Sequence, residues 1–182
     1  MSFQKKNNIL LQVCCIGCGA YAIEVLKKEY NKVCLYFYNP NIWPQEEYFR
    51  RLEDAQRVSR EYDLEIIYEK YDHDQWLKKV QGLENEPEKG KRCLLCYEDR
   101  LLQTAQKARE IGYEFFSTTL TISPHKSAEV LCYIGRSVGE KIGVQFLDID
   151  FKKNDGFKKS CELSRKLNLY RQNYCGCEFS KR

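Results

Sequence analysis

Short apolar runs alternate with longer amphipathic stretches along the chain. NILLQV (8–13) reads as a buried strand, and KVCLYFY (32–38) as a second one ended by the turn residues NPN. Between them GAYAIEVLKKEY places Ala22, Val25, Leu26 and Tyr30 on one side of a helix. PQEEYFRRLEDAQRVSREY (44–62) repeats the pattern with Tyr48, Leu52, Ala55, Val58 and Tyr62, and opens on a proline that a first helical turn tolerates. LEIIYEKY predicts a third strand and HDQWLKKVQG a short helix, followed by the polar loop LENEPEKGKR. From Cys93 onward Leu94, Tyr97, Leu101, Ala105, Ala108 and Ile111 mark a longer helix closed by Gly112. YEFFSTTL and VQFLDID predict two further strands with the helix SAEVLCYIGRSVGEK between them. Phe157, Cys161, Ser164 and Leu167 imply a last helix, and the tail NLYRQNYCGCEFSKR (168–182) has no period.

Helix-length segments separate the strands. This predicts an α/β fold: a mostly parallel sheet joined by right-handed βαβ crossovers, with helices on both faces. Ligands of such sheets bind at the carboxyl ends of the strands. CCIGC, YNPN, STTLTISPHK and DIDFKK follow four strands and should converge there.

Length and composition narrow the class. The chain of 182 residues suits one domain, 1–182, with a core of its own, and 43% hydrophobic with 31% charged residues is an ordinary globular balance. No apolar run approaches the roughly 18 residues of a membrane span, and the N-terminus lacks the pattern of a signal peptide. A cytoplasmic setting is expected, where ten cysteines favour metal binding or redox chemistry over structural disulfides. The net charge of +4 is uneven. Residues 151–182 carry nine Lys/Arg against three acids, and the rest of the chain carries 21 against 23. A basic tail interleaved with Phe151, Phe157, Tyr170 and Tyr174 suits RNA, whose phosphates take cations and whose unstacked bases take aromatic faces; the plainer reading is a solvated basic surface.

The cysteines carry the chemistry. Cys14, Cys15 and Cys18 crowd the bend after the first strand, where by themselves they read equally as small packing groups. Cys93 and Cys96 form a C-x-x-C at a helix start, where amide N–H groups favour thiolates. Together the two groups supply enough thiolates for a Cys₄ zinc site or an iron–sulfur cluster, and spacing leaves that choice open. Cys175 and Cys177 form C-G-C, whose glycine lets the sulfurs meet each other or share a metal. Cys34, Cys132 and Cys161 read as core filler. GCGAYA (17–22) fits a short dinucleotide fingerprint, but the second strand ends in YFYNPN without the acid that would hold a ribose. His73 reads as a surface residue, and His125 as a loop residue within reach of substrate.

Across nearly the whole chain, ILLQVCC..C, YNPNIWPQEEYFRR, EPEKGKRCLLCYEDRL, STTLTISPHK, DIDFKKNDGF and YRQNYCGCEFS occur in this order. The ordered set resembles the QueH family of epoxyqueuosine reductases. The resemblance implies an oxidoreductase that deoxygenates epoxyqueuosine to queuosine at the wobble position of tRNA, with an external electron donor. It implies a HUP-like fold related to PP-loop domains and a [4Fe–4S] cluster held by Cys14, Cys15, Cys93 and Cys96. Cys175 and Cys177 match the family's C-x-C, which is either a redox-active disulfide or a ligand pair for a second metal ion, an iron. CCIGCG stands where a PP-loop would hold pyrophosphate, so ATP is not expected. Gln12 stands where relatives often have histidine, and IG where many have AP. By position, Asp150, Tyr38 and Glu98 are candidate proton donors, with Lys152 beside them. Lys152, Lys153, Lys158, Lys159 and Arg171 are the candidate phosphate contacts. A zinc-bearing RNA-binding module and a metal-free thiol oxidoreductase are the rival readings.

Overall fold

The computed structural model describes residues 6–180. The first residues of the chain, on which the signal-peptide expectation rests, and Lys181 and Arg182 of the basic tail lie outside the described residues. Five strands form one sheet: β1 (Lys6–Gln12), β2 (Tyr30–Phe37), β3 (Glu65–Tyr68), β4 (Phe115–Thr118) and β5 (Gln145–Phe146). Their order is β3-β2-β1-β4-β5 and every pairing is parallel. β1 lies at the centre, with Leu10 opposite Cys34 on one side and Phe116 on the other. The chain runs outward from β1 to β3, returns to β4 beside β1, and so reverses direction at the carboxyl end of β1, where this class of fold opens its crevice.

Six helices cover the two faces: α1 (Ile16–Glu29), α2 (Gln45–Glu61), α3 (His73–Lys79), α4 (Lys91–Glu110), α5 (Ala128–Ile142) and α6 (Gly156–Lys166). The pleat of β1 divides the core. Ile9 and Leu11 face the side packed by Ile23 and Leu26 of α1 and Leu52 and Val58 of α2. Leu10 faces Leu101 and Ala105 of α4 and Leu131 and Val138 of α5. A strand that buries both faces must be apolar at successive positions, which is why NILLQV shows no alternation. α5 is bounded as its sequence prescribes: the Ser127 hydroxyl accepts the Val130 N–H at 3.3 Å, and Gly143 closes it in the left-handed region.

Three boundaries differ from expectation. α1 begins at Ile16, so Cys18 lies in its first turn, inside the helix that pattern alone starts at Gly19. α4 begins at Lys91 after Gly90, which puts Cys93 and Cys96 in its opening turns. VQFLDID keeps only Gln145 and Phe146 as strand, because β4, the neighbour it pairs with, ends at Thr118 in a single 3₁₀ turn over Thr119–Ile122. The tail is tied down by a second 3₁₀ turn (Glu178–Ser180) and an isolated bridge between Ile42 and Cys177.

Candidate functional site

A buried polar string fixes the carboxyl end of the sheet. The Thr118 hydroxyl donates to Gln12 Oε1 at 2.8 Å, Gln12 Nε2 donates to Asn39 Oδ1 at 3.1 Å, and Asn39 Nδ2 donates to the Val13 carbonyl at 2.9 Å. These side chains are buried, so each lost bond leaves an unpaired polar group at a cost of about 1–3 kcal/mol. The string ties the ends of β4, β1 and β2 together and sets the bend that carries Cys14 and Cys15.

Beyond that bend lies a cavity of about 770 Å³. Cys14, Cys15 and Cys18 line it from the β1 end, and Thr119, Leu120 and the run from Ile122 to Lys126 from the β4 end. Phe157 closes another side, and Arg171 to Cys175 form the cover. Two of the four loops expected to converge, CCIGC and STTLTISPHK, line the cavity, while DIDFKK stays behind the wall and reaches it only through Lys152. The YNPN loop acts from behind, through Asn39 and the Ile42 bridge to the tail. A Cβ on Gly17 would stand 2.8 Å from the Tyr170 carbonyl, so this glycine permits the close seat of the tail on α1.

The first thiol group is linked by sulfur hydrogen bonds. Cys14 is pushed well above the usual thiol range by its hydrogen bond with Cys15 and then by burial. For Cys15 the bond with Cys14 pulls down, but the bond with Cys18 and burial push the net up to about 11. Cys18 is pulled below the ordinary value by Cys15, with Arg171 helping against burial. The second group rides on α4. Cys93 Sγ accepts the Lys89 N–H at 3.3 Å, while burial pushes Cys96 up to about 12 despite Arg100, with Cys175, Cys177 and Cys93 adding to the rise. One cation, Arg100, links the two groups, although neither Cys93 nor Cys96 lines the cavity. Arg100 feels Cys96, Cys14 and Cys175, and Lys126, on the cavity wall, feels Cys175 and Cys14. All ten cysteines are free thiols, and among the described residues no three ligand-type side chains stand at closed-site spacing. The donor set nevertheless fits a soft-metal centre: thiols from the β1 bend and from the start of α4 lie to either side of a buried guanidinium, Arg100, whose terminal nitrogens have no hydrogen-bond partner among the described residues.

The tail is held by a latch. Arg51, 2% exposed, sits with Nε 2.7 Å from Glu47 Oε1 and with Nη2 at 2.6 Å, an ion pair off the hydrogen-bond axis. Its Nη1 donates to the Cys175 carbonyl at 3.2 Å, the Tyr170 hydroxyl donates to Glu47 Oε2 at 3.1 Å, and the Gly176 carbonyl accepts the Trp43 N–H at 2.8 Å. His73 belongs to this fastening as well: its ring nitrogens contact the Pro40 carbonyl at 2.8 Å and Glu178 Oε1 at 3.0 Å. The surface role read for His73 is thereby corrected, since a tail more than a hundred residues away covers it.

The other expected residues fall in several places. The Tyr38 hydroxyl donates to Asp99 at 3.1 Å behind Cys96, and Glu98 is exposed on the outer side of α4. Asp150 accepts the Lys152 N–H at 3.0 Å within its own loop. None of the three is among the cavity-lining residues. The Lys152 ammonium donates to the carbonyls of Thr121 and Lys126 at 2.9 and 3.1 Å, which employs it in bracing the cavity wall. Lys153, Lys158 and Lys159 are exposed. Arg171 lines the cavity, stacked 5.7 Å over Phe157, and donates to the Gly17 carbonyl at 3.0 Å. Pattern reading missed Arg51, Arg100 and Lys126. The signal for the two arginines was a charge on an apolar helical stripe, beside Tyr48 and Leu52 in one case and Tyr97 and Leu101 in the other.

The model of the family described as epoxyqueuosine reductase QueH matches residues 9–182. A protein of that name from Streptococcus pyogenes serotype M1 is 38% identical over 181 residues, 96% of this chain and 71% of the relative. One from Thermotoga maritima is 38% identical over 178 residues, 96% and 90% of the two chains. Among solved structures, the U34-tRNA thiolase NcsA of Methanococcus maripaludis with its [4Fe–4S] cluster superposes with a TM-score of 0.62 at 14% identity, over 98% of this chain and 63% of that one. A predicted subunit of tRNA methyltransferase from Methanocaldococcus jannaschii gives 0.56 at 12% identity, over 85% and 75%. At these identities the structural likeness speaks for the α/β fold. The sequence match speaks for descent, and the chain belongs to the epoxyqueuosine reductase QueH family.

Proposed function

We propose that this chain is an iron–sulfur oxidoreductase that converts epoxyqueuosine to queuosine at the wobble position of tRNA. Family membership across residues 9–182 carries this reading, and the position of the buried Arg100 within electrostatic reach of both Cys96 and Cys14 supports it. Residues 1–182 act as one catalytic domain in the cytoplasm, where tRNA is found. The irregular tail 168–182 covers the site. Cys14, Cys15, Cys93 and Cys96 hold a [4Fe–4S] cluster, which when bound passes electrons one at a time from an external donor.

Removing the epoxide oxygen as water takes up two electrons and two protons. The modified base must leave the anticodon stack to enter the cavity. Phe157 offers an aromatic face there, and Arg171 beside it offers a cation to the adjoining phosphate. Burial pulls the Lys126 ammonium down, and thiolate charge at Cys175 and Cys14, as in a metal-bound state, pushes it up beyond that. Its ammonium lines the cavity and is placed to hydrogen-bond the departing oxygen. Cys175 faces the cavity from the tail, with Cys177 behind it bridged to Ile42. As a dithiol this pair would supply both electrons and both protons on closing to a disulfide, to be reduced again by the external donor through the cluster; as a ligand pair it would bind a second iron. Exposed Lys153, Lys158 and Lys159 extend the positive surface for the tRNA backbone, with Lys152 bracing the wall behind them.

The test is anaerobic reconstitution with iron and sulfide. Wild-type chain is expected to take up both, to show the broad visible absorption of an iron–sulfur centre, and to reduce epoxyqueuosine-containing tRNA. Cys93→Ser should lose the absorption and at least 100-fold in rate (an order-of-magnitude expectation for a lost ligand). Iron in excess over sulfide marks a second ion at Cys175/Cys177. Colourless, redox-silent wild-type protein refutes the proposal.

A further inference from the structure

Three buried arginines stand near the thiols, and the protein answers two of them. Arg51 has the Glu47 carboxylate and the Cys175 carbonyl. Arg92 delivers Nη1 to the carbonyls of Leu83, Glu84 and Glu86 at 2.8–2.9 Å and so folds the loop ahead of α4. Arg100 is 1% exposed, its Nε reaches only the Cys96 carbonyl at 3.2 Å, and neither Nη1 nor Nη2 has a hydrogen-bond partner among the described residues. No carboxylate pairs with it among the described ion pairs. A buried cation left this way costs several kcal/mol.

The acidic groups that act on it are three thiols, Cys96, Cys14 and Cys175, and the Tyr97 hydroxyl. Arg100 lies one turn after Cys96 on the same face of α4, packed beside Tyr97 and Leu101, which share their core cluster with Cys14. Its charge is felt across the gap between Cys14, Cys96 and Cys175. A thiolate-ligated iron–sulfur cluster is a net anion whose sulfurs accept hydrogen bonds, and each electron added makes it more negative. That is the counter-charge the guanidinium lacks.

We propose that Arg100 is a positioning residue for the iron–sulfur centre, donating its two unpartnered terminal nitrogens to the centre's sulfur atoms and thereby favouring the reduced state. This inference rests on the cluster reading above. The cation attracts the reduced centre more strongly than the oxidised one, so its presence raises the reduction potential. The same geometry makes Arg100 a burden to the metal-free chain, in which nothing compensates it.

Arg100→Met and Arg100→Lys test this on wild-type background, with readouts apart from turnover. Metal-free R100M should unfold at a temperature equal to or above that of metal-free wild type, because an apolar chain of similar length replaces an uncompensated charge. After anaerobic reconstitution, R100M should either fail to retain iron with its metal-free fold intact, or bind it with a lower potential in a mediated redox titration. At the wild-type midpoint its ratio of reduced to oxidised centre should fall about tenfold, as the loss of charged hydrogen bonds implies. R100K keeps the charge without the two-armed fork and should fall between the two. A reconstituted R100M with wild-type potential and iron retention overturns the inference alone, and so does a metal-free R100M less stable than wild type. Wild-type chain that takes up no iron and sulfide overturns the cluster reading and this inference with it.

Discussion

Arg51 and Arg100 occupy equivalent settings, each on the apolar stripe of a long helix and each almost without exposure, yet the chain treats them in opposite ways. Around Arg51 the protein supplies a carboxylate four residues earlier and a tail carbonyl from across the fold, and the result is a clamp. Around Arg100 it supplies thiols. Two of them, Cys14 and Cys96, hold their protons at neutral pH, since neighbouring sulfur and burial raise Cys14 well above the usual range and burial raises Cys96 up to about 12. A charge compensated within the chain organises structure. A charge compensated only when neighbouring groups ionise or bind something organises chemistry.

The comparison breaks most visibly at Glu47. Glu47→Ala leaves Arg51 buried beside nothing, and loss of one partner of a buried pair costs about 3–5 kcal/mol. Urea denaturation of the metal-free protein should show that loss, where R100M shows none. A cost below about 1 kcal/mol would mean that the latch is no more compensated than its counterpart. A smaller effect is expected at Gly176, whose φ of +102° suits glycine and whose added Cβ would stand 2.9 Å from the Arg51 guanidinium. Gly176→Ala should cost about 1–3 kcal/mol. By lifting the tail it should also speed alkylation of Cys175, followed by mass spectrometry. Unchanged labelling would show that the latch does not set the position of the C-G-C segment.

The smallest effect sharpens what a buried thiol does where burial outweighs the nearby cation, here Lys32. Cys34 is fully buried in the sheet, and burial pushes it from an ordinary 9.0 up to about 12. Below pH about 9 the folded and unfolded chains both keep this proton, and its contribution is fully present. As the pH rises toward 12 the unfolded chain loses the proton while the folded chain retains it, so stability falls. Cys34→Val removes that term. Its denaturation midpoint should therefore decline less steeply than wild type between pH about 9 and 12; equal slopes would place the alkaline loss in other groups.

Much of the architecture was legible before any coordinates. β1 and β2 are recognisable because burial on two faces demands continuous apolar sequence. The stripes of α2 and α5 are equally plain, because one helical face packs and the other is wet. β5 was overread, since VQFLDID has the composition of a strand throughout while the strand itself needs a neighbour, and β4 stops after four residues. The thiols were legible as a group, although the tail's role was not. Its tyrosines and Arg171 read as a basic surface, whereas Tyr170 and Arg171 are bonded into the body at Glu47 and Gly17.

The sequence by itself determined the alternation of strands and helices, the carboxyl-end location of the site and the supply of sulfur to it. Each of these follows from local period or from residue chemistry, which need no partner to be stated. Only the tertiary structure decided which charges are answered: that Glu47 meets Arg51 and the tail, that Glu178 meets His73, and that Arg100 is left facing Cys14, Cys96 and Cys175. Crossovers bring together residues that lie far apart along the chain, and whether a buried charge finds an opposite one depends on that distance in space.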